Sequence, residues 1–287
     1  MNAAGIAPSG VFRLEYFVTV NEELKETLRA LADAYETADF SAGDPSCVLK
    51  RYADRADAEA AAFIAAMLSF GRREQFLKKI CHILDLSDKA GGPAEWLRSG
   101  RYETDFIPPG AEYEAKFYRF YSYADMLDLF SALRRILQCA DTLGSYFEKE
   151  YGRVCTECVQ ACGCSRTPQR PPHLAETVSR AFCGCAVVPQ GKNSANKRIH
   201  MFLRWMVRRD SPVDLGFWQW YSPAELLIPL DTHVVQESVK LGLLPESCAG
   251  TAKTAALLTE RLKQVWPDDP CRGDFALFGL GVDEGVR

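Results

Sequence analysis

Apolar residues recur along much of this chain at offsets of three and four positions, the spacing of one face of an α-helix. The segment from Asp57 to Leu68 follows this pattern, and Gly71 interrupts it. Beyond the break the same spacing resumes at Phe76, Ile80, Ile83 and Leu84. The pattern therefore predicts two helices joined by a short turn.

Helical spacing also dominates the rest of the chain. It runs from Tyr118 to Glu150, and two further helices are expected beyond Asp231, one ending near Gly242 and one beginning at a Thr251 cap. No stretch sustains the period-two alternation that is typical of a β-sheet. Clusters of glycine and proline mark the loops between the helical segments. The sequence therefore predicts an all-α fold.

The composition is that of an ordinary globular protein. The chain has 287 residues, 47% hydrophobic and 25% charged, enough for one large core or two modest ones. The first residues lack the basic start and apolar stretch of a signal peptide, and no apolar run approaches membrane-spanning length. A cytoplasmic protein without a membrane partner is expected. The net charge of −4 argues against coating nucleic acid by bulk electrostatics but allows a local basic groove.

Six of the 11 cysteines crowd into one part of the chain. A Cys-x-x-Cys start in a reducing compartment suggests a soft metal such as zinc, and the candidate ligands are Cys155, Cys158, Cys162 and Cys164. Unligated thiols explain the cluster equally well, and an iron–sulfur cluster ranks below both. Because prolines follow closely, we interpret residues 152–174 as a Cys- and Pro-rich insertion or loop.

The segment from Lys197 to Arg209 has two faces that differ sharply at helical period. Its apolar face contains Ile199, Phe202, Leu203 and Met206. On the opposite face Lys197, Arg204 and Arg208 fall on nearly the same bearing, so three cations project in one row. Such a row attracts an anion, and a solvated basic face without a partner is the alternative.

The string from Leu226 to Val235 is an apolar approach followed by a carboxylate where the next helix is expected to begin. Asp231 suits an N-cap, because its side chain can accept hydrogen bonds from free N–H groups and complements the helix dipole. The same carboxylate also suits acid–base or electrostatic chemistry. On these residues alone both roles stay open.

Two strings resemble those of a known superfamily. Leu-Asp-Thr-His-Val, from Leu230 to Val234, resembles the Val-Asp-Thr-His segment of endonuclease III and its relatives among the HhH-GPD DNA glycosylases. Asp231 occupies the position of that superfamily's catalytic aspartate. Lys197, followed by Phe-Leu-Arg from Phe202 to Arg204, is similar to the catalytic-lysine helix of the 8-oxoguanine branch.

The resemblance covers most of the chain. Residues 63–71 are similar to the helix and turn before the strand-inserting residues of such enzymes, and residues 274–279 fall where their last common helix would be. The segment 189–196 lacks the usual Leu-Pro-Gly-x-Gly hairpin, and Lys197 and Asp231 are 34 positions apart, farther than in endonuclease III. The chain is also identified as a member of a bacterial family of unknown function that shows strings like Ile-Pro-Leu-Asp-Thr-His-Val.

The resemblance implies a two-lobed helical fold with a cleft between the lobes. We place a central lobe at 58–206, with the insertion at about 152–174, and a second, discontinuous lobe at 1–57 plus 207–287. It also implies a monomer that repairs double-stranded DNA by base excision and requires no cofactor, with zinc considered only as a structural ion. Lys197 would attack the sugar of a flipped damaged base, an oxidised purine above all, and Asp231 would assist; AP-lyase activity would accompany that covalent step.

Several polar side chains near these strings are the expected contacts to DNA: Arg72, Arg73, Lys192, Arg198, Arg204, Arg208 and His233. Phe70, with the adjacent arginines, is a candidate to fill the gap left by an extruded base. Trp205, Trp218 and Trp220 either stack on a base or pack in the core.

Two other classes of protein remain open from the sequence. If Lys197 only contacts a phosphate at a helix end, the chain is a non-catalytic nucleic-acid-binding protein with the same fold. If the cysteine cluster holds metal, a metal-stabilised interaction protein becomes the third class.

Overall fold

Helices make up most of this computed structural model, which describes residues 19–39, 44–162 and 173–285. Their bounds are α1 Glu22–Tyr35, α2 Arg55–Leu68, α3 Arg73–Asp88, α4 Pro93–Ser99, α5 Tyr102–Asp105, α6 Tyr123–Cys139, α7 Leu143–Cys162, α8 Leu174–Ala181, α9 Lys197–Val207, α10 Thr232–Lys240, α11 Ala252–Leu262 and α12 Gly273–Gly285. The predicted helical class is confirmed. Within the described ranges, no helix is both long and apolar enough to span a bilayer.

A short antiparallel hairpin interrupts the helices before α6. Strand β1 (Lys116–Tyr118) pairs with β2 (Tyr121–Ser122), so the helical segment expected from Tyr118 begins only at Tyr123. The reason is local, because Ser122 and Asp125 form a capping box that starts α6 at that point.

Capping chemistry sets other helix ends close to where the sequence places them. Helix α2 ends at Leu68 as predicted, and Gly71 follows in the left-handed region with φ +84°. Thr251 caps α11 through a hydrogen bond from the Thr254 N–H. Helix α10 ends at Lys240, close to the predicted Gly242.

The loop interpretation of residues 152–174 is wrong in its first part, and an insertion there stays a prediction. Residues up to Cys162 continue α7, and α8 begins at Leu174; the segment 163–172 lies outside the described residues. The Cys155-x-x-Cys158 spacing is also the spacing of adjacent positions on one helix face, so the same pattern fits a helix.

Buried side chains form two apolar clusters. The first contains side chains from Val48 to Leu226, together with Cys271, and is centred on α2. The buried alanines of α2 let neighbouring helices approach closely. The second joins α1, α10, α11 and α12, together with Ala195 from the loop before α9 and with Ile228 and Leu230 from the segment before α10. Lys197 and Asp231 therefore sit where the two clusters meet. The division into lobes at residues 58 and 206 stays a prediction.

A fully buried carboxylate on α2 fixes the first cluster to the segment that follows α9. Glu59 accepts hydrogen bonds from the Gly144 N–H at 2.7 Å, from Trp218 Nε1 at 3.0 Å and from Arg55 Nε at 2.8 Å. Trp205 and Trp218 are completely buried, which confirms the core alternative for these two tryptophans. The loop to Asp231 is thus anchored by its indole ring.

We expect Glu59→Ala to lower the free energy of unfolding by about 2–4 kcal/mol, because it strands two buried donors. Chemical denaturation measures this, and Glu59→Gln, which keeps an acceptor oxygen, should lose less. Glu74→Ala is the matched control, since its i,i+4 pair with Lys78 is exposed to water and should contribute nothing measurable. Equal losses for Glu59→Ala and Glu74→Ala would contradict the proposed anchoring role.

Candidate active site

Two helix starts bring an amine and a carboxylate together. Asp231 is the N-cap of α10, and its Oδ1 accepts a hydrogen bond from the Val234 N–H at 2.9 Å. Its second oxygen, Oδ2, accepts a hydrogen bond from Nζ of Lys197, the first residue of α9, at 2.8 Å. The predicted proximity of these two side chains is confirmed, and Asp231 combines the capping role with the paired one.

The loop before α9 holds Lys197 in this position. Asn196 adopts the left-handed conformation with φ +45°, and its Nδ2 donates to the Gly191 carbonyl at 2.8 Å. A β-bridge joins Ser194 to Thr251, so the loop before α9 is tied to the loop before α11. Lys197 therefore projects from a braced turn.

The environment keeps the Asp231 carboxylate ionised. Burial alone would raise its pKa, but the charge and hydrogen bond of Lys197, with the Val234 N–H and His233, outweigh burial and lower the pKa below its ordinary value. The Lys197 side chain is 32% exposed and that of Asp231 19%. The pair is thus partly shielded but open on one side.

The pair opens onto a cleft of about 570 Å³. Its walls combine these polar groups with aromatic rings, among them Phe70, Phe76, Phe275 and Phe278. Lys197 Nζ lies 5.9 Å from the centroid of the Phe278 ring. A second cavity of about 980 Å³ also includes Lys197 and Asp231 in its lining, beside Gln236 and Lys240. The pair is therefore shared by two cavities.

A second carboxylate, that of Asp274, also lines the cleft. From the sequence this residue is expected in the last common helix of the resembled superfamily, with no role of its own. Asp274, near the start of α12, is buried and pairs with Arg204. Burial raises its pKa to about 6, although Arg204 and Lys197 oppose the shift, and the charge of Asp231 adds to it. Only the fold could identify this residue, because its partners are distant in sequence.

The predicted basic row on α9 is wrong for two of its three members. Arg204 and Arg208 are buried, the latter only 2% exposed, and both are ion-paired inside the protein. Arg208 pairs with Asp214 at 2.6 Å and with Asp269 and Glu36 at 2.8 Å each. Glu36 and Asp269 lie far from α9 in the sequence, and Asp214 lies in the loop after it. Helical periodicity therefore cannot predict these ion pairs. Both guanidiniums are therefore paired with carboxylates, and their expected DNA contacts stay a prediction.

Arg198 supports the turn after α2. Its guanidinium donates to the carbonyls of Met67 and Val187, the latter at 3.2 Å, and lies 4.9 Å from the Phe70 ring centroid. These contacts direct the side chain into the protein. Its expected DNA contact stays a prediction.

The remaining predicted DNA contacts are exposed. Arg73 and His233 line the cleft itself. Arg72 lies at the same turn as Arg73, just before α3. Lys192 is exposed in the loop before α9 and lines a separate cavity beside His200. Of the exposed candidates, Arg73 and His233 therefore join Lys197 and Asp231 in the cleft, which the buried Arg204 also lines.

Two of the four candidate cysteine ligands have described side chains. Cys155 and Cys158 are half-buried thiols on α7. Cys162 ends that helix, its side chain not being among those described, and Cys164 lies outside the described residues. Among the side chains that are described, no group of three or more His, Cys, Asp or Glu is arranged to hold a metal ion. The zinc hypothesis stays a prediction.

Fold and site together define a mostly helical protein with a lysine–aspartate pair in a cleft between two apolar clusters. The chain belongs to the family described as Protein of unknown function (DUF2400), whose model it matches over residues 44–283. No curated protein and no solved structure matches the chain.

The raised pKa of Asp274 sets the sign of a pH effect on stability. The folded protein holds this proton up to about pH 6, whereas the unfolded chain releases it near the ordinary value of 3.8. The unfolded state therefore binds fewer protons in that window, and the contribution of Asp274 to stability falls as pH rises through it. We expect Asp274→Asn to gain roughly 1–3 kcal/mol relative to wild type between pH 4 and pH 7.

Urea unfolding at several pH values measures this gain. The exposed Asp268 supplies the control, because its carboxylate is not buried in the fold and Asp268→Asn should not reproduce the gain of Asp274→Asn. An offset for Asp274→Asn that stays the same from pH 4 to pH 7 would contradict the assignment.

Proposed function

We propose that this protein is a DNA base-excision glycosylase with AP-lyase activity, in which Lys197 and Asp231 act on a flipped damaged base, with an oxidised purine as the favoured substrate. The observation that carries the proposal is the 2.8 Å contact between Lys197 Nζ and Asp231 Oδ2 at the mouth of an aromatic cleft. The resemblance of both surrounding strings to those of HhH-GPD glycosylases supports it.

The cleft suits an extruded base. A base stacked in duplex DNA hides its glycosidic carbon, so an enzyme that attacks this carbon takes the nucleotide out of the stack, at a cost of a few kcal/mol. Small-molecule pockets typically measure about 300–1,000 Å³, and the cleft falls within that range. The half-buried Phe278 in the cleft wall offers apolar surface to a base.

In the proposed reaction, Lys197 first gives a proton to Asp231, the carboxylate that already accepts its hydrogen bond. The Nζ lone pair then attacks C1′ of the sugar, and the glycosidic bond breaks with its electron pair leaving on the base, which takes up the proton held by Asp231. The ionised Asp231 next carries one proton from the new secondary ammonium to O4′, and the C1′–O4′ bond breaks as the nitrogen lone pair forms the protonated Schiff base. The Asp231 carboxylate, ionised again, stabilises the positive charge of that Schiff base.

Borohydride trapping tests the covalent step. Purified protein is incubated with duplexes that carry 8-oxoguanine, uracil, thymine glycol or an alkylated base, and reduction of the Schiff base links protein to DNA. We expect an adduct with at least one lesion, its complete loss in Lys197→Gln, and a rate about 10²- to 10⁴-fold lower in Asp231→Asn. Lys253→Gln, an exposed lysine on α11, should form the adduct normally.

Two results would overturn the proposal. An adduct that persists in Lys197→Gln would remove Lys197 as the nucleophile. Binding to DNA with neither adduct nor base release on any of the four lesions would instead identify a non-catalytic nucleic-acid-binding protein, in which Lys197 serves as a phosphate contact.

A further inference from the structure

The β1–β2 hairpin presents an aromatic ring to solvent. Arg119 and Phe120 form its two-residue turn, and Arg119 takes the left-handed conformation with φ +51°. Phe120 is 64% exposed, although the flanking Tyr118 and Tyr121 are buried. The Phe120 ring is therefore accessible to a partner from solvent.

The exposed ring is held in place from below. Its centroid lies 5.1 Å from that of Phe70 and 4.5 Å from that of Tyr121. The Tyr118 hydroxyl donates to the Phe70 carbonyl, which fixes the hairpin to the turn after α2. Gly71 has φ +84°, a conformation that favours glycine, and a Cβ there would lie 2.9 Å from the Tyr118 hydroxyl oxygen. Phe120 is therefore positioned before any partner arrives.

The hairpin tip stands next to the cleft. Phe70, Gly71 and Arg73 line the cleft together with Lys197 and Asp231. Phe120 packs against the Phe70 ring. Three exposed arginines surround it: Arg72, Arg73 and Arg119. None of them forms an ion pair with another described residue. The surface thus combines one projecting apolar ring with positive charge on a chain whose net charge is −4.

We propose that Phe120 inserts into the base stack of duplex DNA at the gap left by the nucleotide in the cleft, while Arg119, Arg72 and Arg73 hold the flanking phosphates. The inference rests on the proposed function and assigns the DNA-distorting side chain to the hairpin. Apolar side chains that enter a base step unstack it and kink the duplex, and arginines contribute the salt-dependent affinity. Phe70, the candidate considered from the sequence, is half-buried, packs against Phe120 and serves as its support.

The test uses a duplex with a tetrahydrofuran abasic analogue opposite 2-aminopurine, whose fluorescence rises when it is unstacked. The analogue has no base to release, so binding and unstacking are measured without the chemical step. We expect wild type to raise the fluorescence, and Phe120→Ala to abolish most of the rise and weaken binding about 10-fold. Phe120→Trp should restore both, and Arg119→Gln should lower the salt dependence of binding by about one phosphate contact.

Tyr113→Ala is the matched control, because Tyr113 is the other large hydrophobic side chain left exposed in the described residues. It should behave as wild type. A normal fluorescence rise with Phe120→Ala, or an equal loss with Tyr113→Ala, would overturn the assignment of Phe120.

Two measurements separate this inference from the proposed function: 2-aminopurine fluorescence on the abasic duplex reports insertion, and borohydride trapping on lesion-bearing duplexes reports the chemical step. An adduct with lesion-bearing DNA alongside unaffected unstacking in Phe120→Ala refutes the wedge alone. Unstacking by Phe120 without any adduct refutes the enzyme and keeps the binding surface.

Discussion

Buried ion pairs between α9 and the segments around it determine where the candidate site lies. Arg204 and Arg208 are withdrawn from water, which costs several kcal/mol per charge unless acids compensate it. The compensating carboxylates come from the end of α1, from the loop after α9 and from the segment that begins α12: Glu36, Asp214, Asp269 and Asp274. Because removing any one acid leaves a buried cation less well compensated, these segments must assemble around α9 together. Their assembly sets the direction of α9 and hence the point where Lys197 emerges beside α10.

The same network reaches into the cleft through Asp274. This carboxylate pairs with Arg204 on one side and faces the cleft shared with Lys197 and Asp231 on the other. Its charge therefore contributes both to the packing of α12 and to the field at the lysine–aspartate pair. Packing and site chemistry are in this way linked at a single side chain. The ionised form of Asp231 depends on its close contact with Lys197, which opposes the effect of burial on its pKa.

The helices and their caps could be predicted from the sequence, because periodicity and N-cap residues act within a few positions. Helix α2 and the Thr251 cap are examples. The approach of Lys197 to Asp231 was accessible only through resemblance, since no local pattern links side chains 34 positions apart. The burial of Arg208 depends on Glu36, 172 positions away, and helical period alone places that arginine on a free basic face. The β1–β2 hairpin has strands of three and two residues. They are too short to show the period-two alternation of apolar and polar residues that predicts a strand.

Helix α1 lies outside the matched family region, residues 44–283, yet it packs along α12 so closely that a Cβ on Gly279 would fall 2.2 Å from the Tyr35 ring. It also precedes Glu36, which binds both Arg208 and Arg272. A fragment trimmed to the matched region would lose a counter-charge for a buried guanidinium and bare the apolar flank of the last helix. Truncation at the family boundary is therefore a poor choice for producing a stable domain, and the segment from residue 19 onward belongs to the folded unit.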